Sequence, residues 1–278
     1  MENVTQNIAA TILEAGCALS SEIHVIGDDA KPYQIVPEGY RIEDLEPMLQ
    51  RPTRKTGNVI TTDTTSFVTY IKKHGSLDDC TIYADIDTEA SRCNLVAVIN
   101  DHGADHPEWQ DFRCNYAPKL AVEWSRWNSG NRKPMSQTDF ASWLEDNLAD
   151  VASVANMPTG ADILAMALGF EANAEKRVVS KINLQNGGVQ FQFVEDEAKD
   201  TRTSMKVFER FTLGIPVFDG SLAAYPLEAR LKYRENSGSL KFWYELIRPD
   251  RVFKTAVNDE LKIIKESTGF SILAGKVK

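Results

Sequence analysis

Six side chains between residues 85 and 106 are of the types that hold hard divalent cations: Asp85, Asp87, Asp101, His102, Asp105 and His106. Two carboxylates on one strand beside an Asp-His-x-x-Asp-His loop offer the oxygen and imidazole ligands that Mn²⁺, Mg²⁺ or Zn²⁺ take. A cation there would activate water for phosphodiester or phosphomonoester hydrolysis. The spacing weakens this reading. Gly103 and Pro107 put His102 and His106 in a loop, so no helical turn brings them to one face, and carboxylates on an exposed hairpin are usually just solvated. A metal site is therefore not favoured, and no cofactor is expected. Glu195-Asp196-Glu197-Ala198-Lys199 contains a Glu-x-Lys element of the kind found in metal-dependent nucleases, but no upstream Asp on a neighbouring strand can be placed for it. With four histidines, no Ser/His/Asp or Cys/His arrangement is legible, and no P-loop or GxGxxG occurs.

Two other groups suit binding rather than catalysis. Four of the five tryptophans fall between residues 109 and 143 (Trp109, Trp124, Trp127, Trp143). Trp124 and Trp127 share one face of a helix, either as part of an aromatic core or, with Arg126 between them, as the centre of a protein interface. Near the end of the chain, alternation along 229–233 puts Arg230, Lys232 and Arg234 on one face. Alternation along 240–247 puts Lys241 with Trp243. If the register of the hairpin allows, one sheet face presents all five. A basic sheet face with an aromatic is how single-stranded nucleic acid is often held. The same face would equally suit an acidic arm from a neighbouring subunit, or be the solvated side of a half-buried sheet.

The elements that must position these groups are legible in part. Helical apolar spacing runs over residues 4–15, with Gly16 as a stop, and over 65–74 behind a cap at Asp63 or Thr64. Residues 24–62, with short extended runs such as Tyr33–Val36, read as a loop-rich arm. Thr81–Asp87 and Asn94–Asn100 read as strands, the second buried on both faces over Leu95–Ile99. Ser136-Gln137-Thr138-Asp139 starts a helix whose apolar positions reach Leu148 and Val151, and another helix follows Thr159-Gly160. Period two then takes over: a hairpin over Val178–Leu184 and Val189–Val194, a strand over Met205–Leu213, and a hairpin over Ala229–Tyr233 and Leu240–Ile247. A last helix runs from Pro249 to Ser267. Strands in runs and helices in runs predict an α+β fold: an antiparallel sheet of C-terminal hairpins with flanking helices and an N-terminal arm. The expected organisation is one unit over 1–278, with a subdivision at 1–62, 63–176 and 177–278.

The chain has 278 residues, 31 Lys+Arg and 40 Asp+Glu, for a net charge of −9. With 42% hydrophobic and 26% charged residues, this is a globular composition and not a disordered one. Residues 1–50 hold two bases against nine acids, a net of −7, and residues 226–278 hold eleven bases against seven acids, a net of +4. The overall charge argues against a nonspecific DNA coat but leaves room for a local basic groove or head-to-tail self-association. No membrane span or secretion signal is visible, and Cys17, Cys80, Cys93 and Cys114 lack CxxC spacing, as free thiols in a reducing cytoplasm would.

Several longer runs are distinctive: Val96-Ala97-Val98-Ile99-Asn100-Asp101-His102, His106-Pro107-Glu108-Trp109, Trp124-Ser125-Arg126-Trp127, and Met135 to Phe140 with Leu144-Glu145-Asp146-Asn147. With Ile35 to Tyr40, Arg51 to Gly57 and Glu245 to Asp250, they resemble the YfdQ-like prophage proteins, a family of unknown function. The resemblance implies a phage origin and a bacterial cytoplasmic setting, and brings no catalytic residues. The expected function is a non-enzymatic accessory protein that self-assembles and acts by binding. The alternatives are a nucleic-acid-binding accessory of phage recombination or replication, an inhibitor of a host defence complex, and a metal-dependent hydrolase built on the Asp/His cluster. The expected partners are a second copy of the chain, single-stranded nucleic acid or a host protein, and no membrane.

Overall fold

A computed structural model describes residues 8, 10–16, 24–26, 31–33, 41, 44–172, 177–182, 189–194, 202–205, 208–236 and 239–277. The chain forms two compact units, Met1–Lys55 and Thr56–Lys278. In the first, residues 10–16 are helical, within the span that the apolar spacing predicts. Strands β1 (His24–Ile26) and β2 (Lys31–Tyr33) pair antiparallel, with His24 opposite Tyr33. Of the expected Tyr33–Val36 run, residues 34–36 lie outside the described residues.

The second unit begins with β3 (Gly57–Thr61). Residues 57–61 are thus not part of an arm. Gly57 donates its amide to the Asp111 carbonyl at 2.9 Å, and the strand closes one side of a sheet. It reads as loop because it is an edge: Ile60 is 72% exposed, so burial left little apolar pattern. Helix α1 (Thr64–His74) follows, capped by the Asp63 carboxylate, which accepts from the Ser66 amide at 2.7 Å. It buries Phe67 and Ile71, with Tyr70 packed beside them, on the face expected of it. Strands β4 (Thr81–Asp87), β5 (Arg92–Val98) and β6 (Phe112–Tyr116) come next. Leu95, Ala97, Val98 and Ile99 are buried while Val96 is partly exposed, so β5 is not closed on both faces.

Helix α2 (Val122–Gly130), the short strand β7 (Met135–Ser136) and helix α3 (Gln137–Asp146) lead to α4 (Gly160–Ala172). The spacing that carried α3 on to Val151 is overruled at Asn147. Its side chain donates to the Trp143 carbonyl at 2.6 Å, in place of the next helical amide. Leu148–Asp150 then makes a single 3₁₀ turn, and Val151 forms a bridge with Leu213.

Strands β8 (Arg177–Ile182) and β9 (Val189–Val194) pair antiparallel as the expected hairpin requires, residues 183–188 lying outside the described residues, and β10 (Arg202–Met205) adds to β9. The single strand expected over Met205–Leu213 is two: β10, and β11 (Arg210–Ile215) in a different sheet. β12 (Tyr225–Asn236) and β13 (Ser239–Leu246) form the long final hairpin, followed by helix α5 (Pro249–Thr268) and β14 (Ser271–Ala274).

The fold is α+β, as strands and helices in separate runs predict. One sheet has the order β14-β4-β5-β6-β3 and another β11-β12-β13-β7. Two pairings in the first sheet depart from the antiparallel expectation: β14 with β4 and β3 with β6 are parallel. The halves also share strands, since β14 returns to the first sheet and β7 crosses to the second. The inner faces meet in one core. Phe253, Ala256, Val257 and Ile264 of α5 enter it, Phe140 stacks on Phe242 at 5.3 Å, and Trp127 lies 4.9 Å from Tyr244. The Tyr244 hydroxyl donates to the Trp127 carbonyl at 2.7 Å, tying α2 to β13.

Candidate functional site

The β12–β13 register decides where the basic side chains go. Lys232 lies opposite Trp243, Arg234 opposite Lys241 and Arg230 opposite Glu245, while Leu231, Tyr233 and Ala229 lie opposite Tyr244, Phe242 and Leu246. Directly paired residues project from the same side of a sheet. The second set is the core side: Ala229, Leu231, Phe242, Tyr244 and Leu246 are buried, and burial pushes the Tyr233 hydroxyl up to about 12. The first set is therefore the outer side. Arg230, Lys232, Arg234 and Lys241 are exposed, and Trp243 is half-buried among them.

The face is wider than the hairpin. β11 pairs on the other side of β12 with Arg210 directly opposite Arg230, which adds a fifth cation. Alternation marks Arg210 as facing away from Phe211 and Leu213. Placing it beside Arg230 requires the register of β11, which a strand read as Met205–Leu213 does not supply. Two carboxylates close one end. Glu228 meets Arg210 at 3.7 Å, and Glu245 accepts from the Trp243 indole N–H at 3.4 Å. The guanidinium of Arg234 lies over the Trp243 ring, 5.9 Å from its centroid, a cation–π contact. Cations thus border an indole on a surface whose strands rise about 3.3 Å per residue, so successive outward side chains stand about 6.6 Å apart. Chemically, this arrangement neutralises a line of anionic groups and offers one flat apolar ring.

The Asp/His cluster is not one group. Asp85 pairs with Lys276 at 3.0 Å and Arg92 at 3.7 Å, and Asp87 with Arg92 at 3.8 Å while it caps the Glu89 and Ala90 amides. Asp101 is buried and accepts from the Tyr83 hydroxyl, the Gln110 amide and the His102 backbone. The His102 ring accepts from the Glu108 amide at 2.9 Å, His106 lies 3.8 Å from Asp79, and Asp105 is exposed. Among the described residues no three His, Cys, Asp or Glu side chains are placed to hold a metal ion. Glu195–Lys199 lies outside the described residues.

Of the two readings that their spacing allows, Trp124 and Trp127 take the core one. They are 1% and 0% exposed, so no partner reaches either ring. The Trp127 indole N–H donates to Asp150 at 2.7 Å, and Arg126, on the exposed side of α2, donates to Asn147 at 2.5 Å. The spacing that puts two tryptophans on one helix face is the same whether that face is inward or outward. Trp109, in the loop between β5 and β6, is 76% exposed. No helix among the described residues is long and apolar enough to cross a membrane.

A family model described as an uncharacterized conserved protein, DUF2303, matches residues 6–277, and the chain belongs to that family. Comparison with curated proteins and with solved structures gave no match.

Proposed function

We propose that this member of the DUF2303 family is a non-enzymatic accessory protein of a phage or prophage, working in the bacterial cytoplasm, that self-associates and acts by binding. We infer that its binding surface is the outer face of β11–β12–β13, taking single-stranded nucleic acid. One observation supports the reading most: the strand register gathers Arg210, Arg230, Lys232, Arg234 and Lys241 around Trp243 on a side that the core does not use. The phage setting rests on the resemblance to YfdQ-like prophage proteins. A single strand suits the face better than a duplex, because unpaired bases can lie flat on an indole while phosphates reach the flanking cations. A base would take the position over Trp243 that the Arg234 guanidinium holds in the free protein.

Binding of an oligothymidylate, followed by fluorescence anisotropy against salt, tests this. The logarithm of affinity should fall with the logarithm of salt with a slope of about −0.7 per phosphate neutralised. Trp243→Ala should weaken binding by about 1–3 kcal/mol through lost stacking, and each basic-to-Ala change should flatten the salt slope. Arg230→Glu with Arg234→Glu separates this from docking of a neighbour's acidic first fifty residues. The nucleic-acid reading requires the double variant to lose oligonucleotide and keep its assembly state. Loss of assembly with unchanged affinity would transfer the face to an inter-subunit contact.

A further inference from the structure

We propose that the chain assembles as a two-fold dimer by pairing β14 antiparallel with β14 of a second copy, joining two five-stranded sheets into one continuous sheet. This specifies the self-association of the preceding section and rests on it. β14 is the outermost strand of its sheet, with β4 on its inner side. The Gly275 amide donates to the Ala84 carbonyl at 2.9 Å. In a strand the backbone groups alternate sides, so Ser271, Leu273 and Gly275 turn theirs toward β4. Ile272 and Ala274 turn their N–H and C=O groups to the open edge.

Those two residues are complementary to themselves. When Ile272 of one copy faces Ala274 of the other, each pair exchanges two N–H···O bonds, and the two-fold axis passes between the Leu273 residues. Leu273 then forms a non-hydrogen-bonded pair with its own copy, with Cα atoms about 4.5 Å apart.

Among the described residues, the edge carries none of the usual protection against such pairing. Ser-Ile-Leu-Ala has no charge, no proline and no inserted residue. The nearest cation that follows it, Lys276, is drawn inward onto Asp85 of β4 at 3.0 Å. The strand's outward apolar side chain, Leu273, is 49% exposed. Ile272 packs inward on the core and holds the strand in place. The opposite edge, β3, is the natural comparison. It presents Ile60 but also the exposed polar Asn58.

The test uses the full chain with Cys17→Ser, since Cys80, Cys93 and Cys114 are buried. Light scattering should give the mass of two chains, and Leu273→Lys should weaken association at least tenfold while Ile60→Lys leaves it unchanged. Leu273→Cys, oxidised with diamide, should run as a covalent dimer on a non-reducing gel, because about 4.5 Å between Cα atoms lies within disulfide reach; Ile60→Cys should not. A monomeric parent protein overturns this proposal together with the self-association reading. A dimer that survives Leu273→Lys and gives no Leu273→Cys cross-link, or that cross-links equally through Ile60→Cys, overturns the β14 pairing alone.

Discussion

Asp101 is a buried carboxylate held by uncharged donors: the Tyr83 hydroxyl at 2.9 Å, the Gln110 side-chain amide at 2.6 Å and the His102 backbone amide at 2.9 Å. Burial alone would raise its pKa, but these hydrogen bonds and one from Thr81 outweigh that, and the group lies below the ordinary aspartate range. A depressed folded pKa stabilises the protein above the unfolded value near 3.9, and that contribution is lost as pH falls through the folded value. Asp101→Asn turns an amide NH₂ toward groups that are themselves donors. It should cost about 1–3 kcal/mol in urea unfolding at pH 7, and the gap to the parent protein should narrow as pH drops below about 4. Residue type made Asp101 look like a metal ligand. Its actual partners come from β4 and from the far end of its own loop, and no local pattern announces them. The five outward groups of β12–β13 were legible in part for the opposite reason: alternation fixes which of them share a side within each strand, and the hairpin register then joins the two sets.

Ser136 serves two elements at once. In β7 its backbone pairs with Lys241 of β13, and as the cap of α3 its hydroxyl accepts from the Asp139 amide at 3.1 Å. Ser136→Ala should lower stability by about 1 kcal/mol, and Ser136→Asn should recover most of that, both read from denaturant midpoints at unchanged slope. The capping role was visible in Ser-x-x-Asp ahead of an apolar helix; the strand role was not, because two residues carry no period. Length explains the other gains and losses too. β12 and β13 are twelve and eight residues long, enough for alternation to show, and their pairing runs out to Asn236 and Ser239. β3 and β14 are five and four residues long, and each pairs in parallel with a strand that is not its chain neighbour.

At the scale of the whole molecule, charge and core are distributed differently. Among the described residues, the buried hydrophobic cluster runs from Phe67 to Phe270, within Thr56–Lys278. A fragment of residues 56–278 should therefore keep one cooperative unfolding transition, with a midpoint within a few degrees of the full chain by calorimetry. Loss of the transition would show that residues 1–55 complete the fold. The same fragment sheds the most acidic stretch of the sequence, so its affinity for oligonucleotide should rise at low salt if long-range repulsion matters. The α+β class was readable from the order of strand-like and helix-like runs. The sharing of strands between sheets was not, because it is a property of pairing partners and leaves no trace in composition.

The return of β14 to β4 also has a meaning in time. A ribosome adds on the order of 5–20 residues each second. Thr81–Ala84 therefore emerges about 10–40 s before the Ser271–Ala274 segment that lies against it. Through that interval the nascent chain carries an open flank on β4, and only the last stretch of synthesis closes it. Premature termination after β4 and its sheet partners but before Ser271 would make that open flank permanent, yielding a product inclined to pair with other chains.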